Sequence, residues 1–495
     1  MGLKSLISLP FARHIIKKNS KWKKNAVKVQ NTLLLSLVRQ AENTQFGKDH
    51  DFKKITQYSQ WKENVPVRDY EDLKGYVQEI IDGKENILWP GKPLYFCKTS
   101  GTTSGIKHIP ISKESMLYHI TSARDAILSY IAETKNTSIV NGKMIFLQGS
   151  PRLGERGGVP TGRLSGIVAH HIPSYLTKNQ LPSYSTNCIV DWEEKIDVIV
   201  KETLPETMSV ISGIPPWVQM YFEKLKEKTG KLIKDVFPKF DLFIYGGVNF
   251  GPYRKTFEKL IGKKIARIEL YPASEGFIAY QDSQKEEGML LCVNHGIFYE
   301  FIPSDEFFNE NPTRISLADV KVSVDYVIIL NTNAGLWAYN IGDTVKFVSV
   351  DPYKIIVSGR VKHFTSAFGE HVIAEEVEKS LQESIVRFPA EVNEFHVAPQ
   401  VNPDNGLPYH EWLIEFEKEP ENITDFRKMV DDSLQNHNSY YKDLIVGGVL
   451  KPLVVTRISK NGFRSYMKSI GKLGGQNKVP RLANDRKIAD KLSAF

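Results

Sequence analysis

Cysteine is scarce in this chain. Cys97, Cys188 and Cys292 are three of 495 residues, with no Cys-x-x-Cys pair and no Cys/His spacing suited to zinc. A disulfide framework is not expected, and a reduced, cytoplasmic compartment is. Long apolar runs are missing too: none reaches the roughly 18–20 residues that span a bilayer, so no membrane span is expected. No internal repeat or low-complexity tract is present. Excess charge of one sign is small, with 65 Lys+Arg against 57 Asp+Glu for a net +8. That balance permits anionic small ligands without requiring nucleic acid. Basic stripes interleaved with aromatics are absent, which argues against nucleic-acid binding.

The N-terminal stretch MGLKSLISLPFARHIIKKNSKWKKN begins like a weak signal peptide. Pro10, Arg13 and His14 cut its apolar part short, and no small-residue cleavage site follows. Leu6 stands where myristoylation needs Ser or Thr. It reads as an amphipathic first helix. Its Lys/Arg cluster either faces solvent or touches a membrane surface or nucleic acid.

With 41% hydrophobic and 11% aromatic residues, the chain can build a sizeable core. Residues 20–90 read as helices and connectors. From Ser112 to Glu133 apolar residues recur at 3.6-residue spacing behind a Ser112 N-cap. KMIFLQGSP (143–151), DLFIYGGVNFGP (241–252) and ARIELYPASEG (266–276) read as buried strands running into tight loops, with helices between them. That alternation predicts an α/β core with ligands at the carboxyl ends of its strands. Residues 288–361 turn β-rich. Beyond them a helix–strand–strand–helix–strand rhythm predicts a small α+β domain. The expected division is 1–358 and 359–495.

The strongest local signal is FCKTSGTTSGIKHIPIS, 96–112. Gly101 and Gly105 allow close backbone approach. Thr99, Ser100, Thr102, Thr103 and Ser104 supply hydroxyls, and Lys107 a cation. Such a loop can wrap phosphate oxygens; the alternative is an ordinary polar turn between a strand and a helix. It is neither a Walker A loop nor a GxGxxG fingerprint. Three further segments bear on that choice. YPASEG sets Tyr271 four residues before Glu275, so that a ring and a metal-binding carboxylate stand close together. YNIGD ends in Asp343, whose two oxygens can accept ribose hydroxyls. GRVKHFTSAFGEHV, 359–372, supplies Arg360 and Lys362 at the domain boundary.

TSGTTSG, YPASE, YxxGD and GRxKHFxxxFGE, in that order, resemble the adenylate-forming superfamily of acyl-CoA synthetases, luciferases and peptide-synthetase adenylation domains. More closely the chain resembles the auxin-responsive promoter (Gretchen Hagen) family of acyl-acid amido synthetases, in its bacterial branch. ISGIPPWVQMYFE (211–223), GRLSGIVAHHIP (162–173) and GGQNKVPRL (474–482) fit that branch. The resemblance implies α/β and α+β folding, with a large N-terminal domain binding ATP and acyl group and a small mobile C-terminal domain. It implies Thr99, Ser100, Gly101, Thr102 and Thr103 around the β/γ-phosphates, Gly246 and Gly247 along the adenine, and Tyr271 on its face. Ser274 and Glu275 would meet phosphate and Mg2+, Asp343 the ribose, with Arg360 near the ribose. Lys478 matches the lysine that serves adenylation. Asn340 departs from the family pattern, which carries Arg there.

The implied reaction uses ATP and Mg2+ to adenylate a carboxylic acid and then passes the acyl group to an amine, expected to be an amino acid. His170, His171 and His295 are candidate bases for the second step, though a structural role suits each. Arg124 falls on the apolar side of the 112–133 helix; it either faces a polar acyl substrate or is a salt-bridged or snorkelling side chain. Two other readings stand beside this one: an acyl-CoA ligase with a thiol acceptor, and a non-catalytic nucleotide- or nucleic-acid-binding protein. A monomer is expected.

Overall fold

The computed structural model describes residues 3–100, 106–173, 178–189, 191–247, 250–361, 372–401, 403, 405–448, 450–474, 478–483 and 485–495. It divides into two compact units, Met1–Val248 with Ile261–Val357, and Asn249–Leu260 with Ser358–Phe495.

In the first unit, the helix Leu3–Lys23 runs through Pro10. The missing N–H costs one intrahelical bond, and packing outweighs that loss. Ser5, Ala12, Ile15, Asn19 and Trp22 form its buried face, and the helix lies against the long helix Lys113–Thr134. Asn19 Nδ2 donates to Asp125 Oδ2 at 2.8 Å across that seam. The long helix starts as its sequence predicts, with Ser112 Oγ accepting from Ser115 N at 2.9 Å.

Among the described residues a twelve-stranded sheet forms the backbone of this unit. Gln180–Leu181, Lys143–Phe146, Met208–Ser212, Leu242–Gly246 and Ala266–Ala273 lie side by side and parallel. Met208–Ser212 and Leu242–Gly246 are buried over almost their whole length, as parallel strands covered on both faces must be. In the chain, helix Trp192–Thr203 precedes the first of these two strands and helix Pro215–Thr229 lies between them. The sheet continues through Gly276–Tyr280, Met289–Leu291, Tyr353–Arg360, Tyr339–Val350, Asp325–Thr332 and Ile297–Pro303 to Ile315–Ser316. This is the β-rich stretch expected from 288 onward. A second sheet orders Ile106–Ile111, Tyr95–Ser100, Val159–Gly162 and Gly154–Arg156.

The second unit is α+β. Strands Glu391–Gln400 and Tyr409–Lys418 pair antiparallel, and Val454–Ile458 joins the latter in parallel. Helices Ala374–Arg387 and Ile423–His437 cover this sheet, burying Val377, Leu381, Phe395, Trp412 and Phe426 together. VGGVLKPLVVTRI, 446–458, reads as a β-like stretch, but only Val454–Ile458 is strand, and Val446 closes the helix Ser439–Val446.

No helix among the described residues is long and apolar enough to cross a membrane. The three cysteines are unpaired and buried.

Candidate active site

The hydroxyl-rich segment is the connection of a β-hairpin, not of a strand to a helix. Tyr95–Ser100 and Ile106–Ile111 pair antiparallel, with Thr99 opposite Lys107 and Ser100 opposite Ile106. The strand Ile106–Ile111 stands between the loop and the long helix. Gly101, Thr102 and Thr103 lie outside the described residues, as does the side chain of Ser100. Tyr70 holds the outgoing strand: its hydroxyl accepts from His108 N at 2.9 Å, and Lys107 Nζ sits 5.5 Å from its ring centroid.

YPASEG proves to be strand and turn rather than loop. Tyr271 to Ala273 close the strand Ala266–Ala273, and Ala273 pairs with Gly276. Ser274 and Glu275 are therefore the two residues of a tight hairpin turn. The neighbouring strand stops earlier, with Gly246 opposite Leu270. A Cβ at Gly246 would meet Leu270 O at 2.4 Å, and Gly247 leaves the strand at φ +80°. Both glycines are thus required by the backbone itself.

Asp343 is delivered by a bulge. Ile329 pairs with Asn340, but Val327 already pairs with Thr344. Three residues, 341–343, face one on the partner strand, which pushes Asp343 out of the ladder. Asn340 Oδ1 accepts from Gly342 N at 2.8 Å, and Gly342 has φ +83°. The residue that departs from the family pattern therefore shapes the turn presenting the acid.

Two side-chain contacts join these segments. Tyr271 Oη donates to Asp343 Oδ2 at 2.5 Å. Cys97 Sγ, on the first hairpin strand, donates to Ser274 Oγ at 3.2 Å. Burial pushes the Cys97 thiol up to about 12, so it stays protonated; its Ser274 bond acts the other way, Glu275 raises it further and Arg163 lowers it. Ser274 accepts this proton and keeps its own hydroxyl hydrogen to donate. Tyr271 is only 9% exposed and belongs to the main core, with its hydroxyl turned to Asp343.

Arg124 donates through Nε and Nη2 to Asp125 Oδ1 at 2.9 and 2.7 Å. This is the salt-bridged alternative foreseen for it. Arg360 ends the strand Tyr353–Arg360, and its side chain lies outside the described residues, as do residues 362–371. Lys478, in the second unit, is exposed. The residues after it are tightly held. Pro480 O accepts from His396 Nδ1 at 2.6 Å, Val397 N donates to Arg481 O at 2.8 Å, and Ala483 N to Val397 O at 3.0 Å.

The three histidines have structural partners. His170 Nε2 donates to Pro151 O at 2.7 Å, and His171 Nε2 lies 3.0 Å from Tyr95 Oη. His295 Nδ1 meets Ser122 Oγ at 2.7 Å and stacks on Tyr118. Burial drives its pKa down to about 4, so it is neutral and weakly basic near pH 7.

Cys97 and the turn-forming role of Asn340 were not foreseen. A lone cysteine carries no signal of a thiol-to-hydroxyl contact 177 residues away. The spacing Asn340-x-Gly342 is a turn signal in retrospect.

Three family models match the chain: GH3 family N-terminal domain over residues 15–188, GH3 family central domain over 290–360, and GH3 family C-terminal domain over 371–487. The chain is 23% identical over 390 residues to a jasmonoyl–L-amino acid synthetase, JAR4, of Nicotiana attenuata, covering 65% of this chain and 67% of the relative. It is 21% identical to the indole-3-acetic acid-amido synthetase GH3.3 of Arabidopsis thaliana, over 94% of this chain and 91% of that one. Among solved structures, GH3.15 acyl acid amido synthetase superposes with a TM-score of 0.81 at 14% identity, covering 97% of this chain and 95% of that chain. A 2-hydroxyisobutyryl-CoA ligase superposes at 0.58 with 10% identity, over 96% and 93%. These two likenesses establish a shared fold.

Proposed function

The chain belongs to the GH3 family, and from that premise we propose that it adenylates a carboxylic acid with ATP and transfers the acyl group to the amine of an amino acid. It is a ligase that forms a carbon–nitrogen bond. In the first step a carboxylate oxygen attacks the α-phosphorus, the bond to the β-phosphate oxygen breaks, and pyrophosphate leaves. In the second step the amine nitrogen attacks the acyl carbon, AMP leaves with the bonding electron pair, and the amine gives up one proton.

The observation that carries this reading is the Tyr271–Asp343 hydrogen bond, since it unites two of the segments to which nucleotide roles are assigned. The first step brings two anions together and needs no covalent enzyme intermediate. Positioning and charge neutralisation are the demand. Thr99 and Ser100 on the hairpin strand, with Gly101, Thr102 and Thr103, are assigned to the phosphates. Gly246 and Gly247 leave a flat backbone edge for the base, with Tyr271 beside it. Asp343, fixed through one oxygen by Tyr271, is assigned to the ribose, and Arg360 to the same sugar. Ser274 donates toward phosphate. Lys478 supplies positive charge to the adenylation step.

The donor set suits Mg2+, which is usually held by one or two carboxylates plus substrate phosphates rather than by an all-protein cage. Glu275 in its tight turn is such a carboxylate, and among the described residues no group of three or more His, Cys, Asp or Glu is placed to hold a metal ion. Glu275 would hold Mg2+, which would neutralise phosphate charge when bound. Arg124 is assigned to the acyl substrate at low priority, because Asp125 already engages it.

The motifs at 162–173, 211–223 and 474–482 favour the bacterial branch of the family. Buried free cysteines suit a cytoplasmic enzyme, and a monomer is the simplest state for it.

Hydroxylamine trapping tests the reaction class. With MgATP and a panel of carboxylic acids, hydroxamate should form with at least one acid. AMP release should then be accelerated by an amino acid. Acceleration by coenzyme A alone would assign a thiol acceptor. No hydroxamate with any acid, together with salt-sensitive retention of DNA or RNA, would replace the enzyme by a binding protein.

A further inference from the structure

Arg163 stands at the N-cap of the short helix Leu164–Ala169. It belongs to GRLSGIVAHHIP, in which His170 and His171 have structural partners and Arg163 itself has been given no role. Its stem lies against the loop that follows the parallel strand Lys143–Phe146. A Cβ at Gly149 would come within 3.3 Å of Arg163 Cδ and 3.5 Å of Ser165 Oγ. Ser165 Oγ accepts from Gly149 N at 3.3 Å, which leaves its hydroxyl hydrogen to donate.

Two observations set Arg163 apart. The first is its place. Gly162, the residue before it, pairs with Cys97 in the parallel ladder of the second sheet, and Cys97 donates to Ser274 Oγ at 3.2 Å. Arg163 therefore leaves its strand one residue beyond the partner of Cys97, on the side of the first hairpin strand that reaches the Ser274–Glu275 turn. The second is its lack of company. Arg314, Arg481 and Arg486 are partly buried and each meets a carboxylate. Arg163 is half-buried, and among the described residues it forms no ion pair and donates no hydrogen bond. Burial lowers its pKa, with the Cys97 thiol acting in the opposite sense. A guanidinium carries five donors in a planar fork matched to carboxylate and phosphate. Desolvating it without a partner is unfavourable.

We infer that Arg163 is an oxyanion-binding residue of the active site, its guanidinium taking a carboxylate or phosphate group beside the Ser274–Glu275 turn. The inference rests on the proposed function for its choice of anion: the organic acid supplies a carboxylate and the nucleotide supplies phosphates. Arg163 and the Ser165 hydroxyl are the donors, and the glycine at 149 gives the stem its room.

Calorimetric titration of the full chain with MgATP, inorganic pyrophosphate and benzoate, each alone, tests it without turnover. Arg163→Gln should weaken at least one of these by about tenfold or more, the scale of a charge-assisted hydrogen bond. Arg163→Lys should recover part of the loss. A loss confined to MgATP and pyrophosphate assigns the phosphates; a loss confined to benzoate assigns the acid. Gly149→Ala crowds the stem without removing the charge and should weaken the same probe, which keeps the test open should Arg163→Gln not fold. Affinities within twofold of wild type for every probe in folded Arg163→Gln overturn the inference, as does a wild-type protein that binds none of the three. Hydroxamate formation is scored separately. Weakened MgATP binding in Arg163→Gln, in a protein that activates no acid, would keep the site and discard the reaction.

Discussion

Tyr271 Oη and Asp343 Oδ2 are joined by a 2.5 Å hydrogen bond between residues 72 positions apart. Three strands separate theirs in the order of the sheet. At about 4.8 Å per strand a flat sheet would hold them roughly 19 Å apart, so the sheet must curl across its own face to bring them together. A hydrogen bond to a carboxylate contributes about 1.5–3 kcal/mol. Tyr271→Phe should therefore raise the KM for ATP about tenfold or more while kcat changes less. Steady-state kinetics at saturating acid provide the measurement, and an unchanged KM would separate Asp343 from nucleotide binding.

Glu275 and Lys478 are assigned charge neutralisation, and neither supports the core. Glu275 is in a two-residue turn and Lys478 is exposed. Glu275→Ala and Lys478→Ala should leave circular dichroism and melting temperature near wild type. Each should slow pyrophosphate release by about two to three orders of magnitude, the usual effect of losing one preorganised electrostatic contact. Normal release from either variant would remove that residue from the step.

Asn340 should tolerate Asp better than Ala. Only an acceptor is needed for the bond from Gly342 N. Asn340→Ala is expected to cost about 1 kcal/mol of stability and to raise the KM for ATP, because Asp343 loses the turn that presents it. Asn340→Asp should keep both near wild type. Denaturant titration and kinetics on the pair of variants would show whether the side-chain oxygen is what matters.

A buried ion pair provides a test of stability away from the site. Glu300 is fully buried and accepts from Arg314 Nε at 2.7 Å and Nη2 at 2.6 Å, from Trp61 Nε1 at 3.2 Å and from Asn331 Nδ2 at 2.8 Å. Arg314→Met strands that carboxylate and should cost about 3–5 kcal/mol. Adding Glu300→Gln should recover part of the loss. Urea unfolding of the single and double variants is the check; additive losses would mean that the two groups are not coupled.

The fold should weaken in mild acid. Burial lowers His119 and His295 to about 4, from 6.5 when unfolded. Between those values the unfolded chain binds more protons than the folded one, so stability is complete above about pH 6.5 and falls as pH drops toward 4. Each histidine can contribute about 3 kcal/mol at most over that window. Unfolding midpoints from pH 7 to pH 4.5 should fall less steeply for His119→Leu and for His295→Gln than for wild type. Parallel slopes would mean that neither ring is buried in its neutral form.

What was legible in the sequence is what the chain decides locally. The 112–133 periodicity and its Ser112 cap reproduce the helix Lys113–Thr134, since both signals lie within the segment itself. The parallel strands were visible as apolar runs ending at Gly or Pro. Harder to see was anything that depends on a distant partner. Pro272 and Ala273 look like loop residues and become strand because Gly276–Tyr280 folds back upon them. Residues 249–260 group with the second unit through contacts to Glu391–Gln400, such as Tyr253 Oη donating to Glu394 Oε2 at 3.3 Å. In the candidate site, the segments that the Tyr271–Asp343 contact joins were legible as ordered motifs. The Cys97–Ser274 bond was not, because nothing in the chain near 97 points to 274.

The three-against-one mismatch ahead of Thr344 has a wider implication. Residues within a regular ladder are displaced whenever their cross-strand neighbours change size. Asp343 stands outside that ladder, in a short local turn, with a phenol on one of its oxygens. The apolar side chains of the surrounding strands are therefore free to drift over evolutionary time, each repacking against the others, while the acid keeps its place.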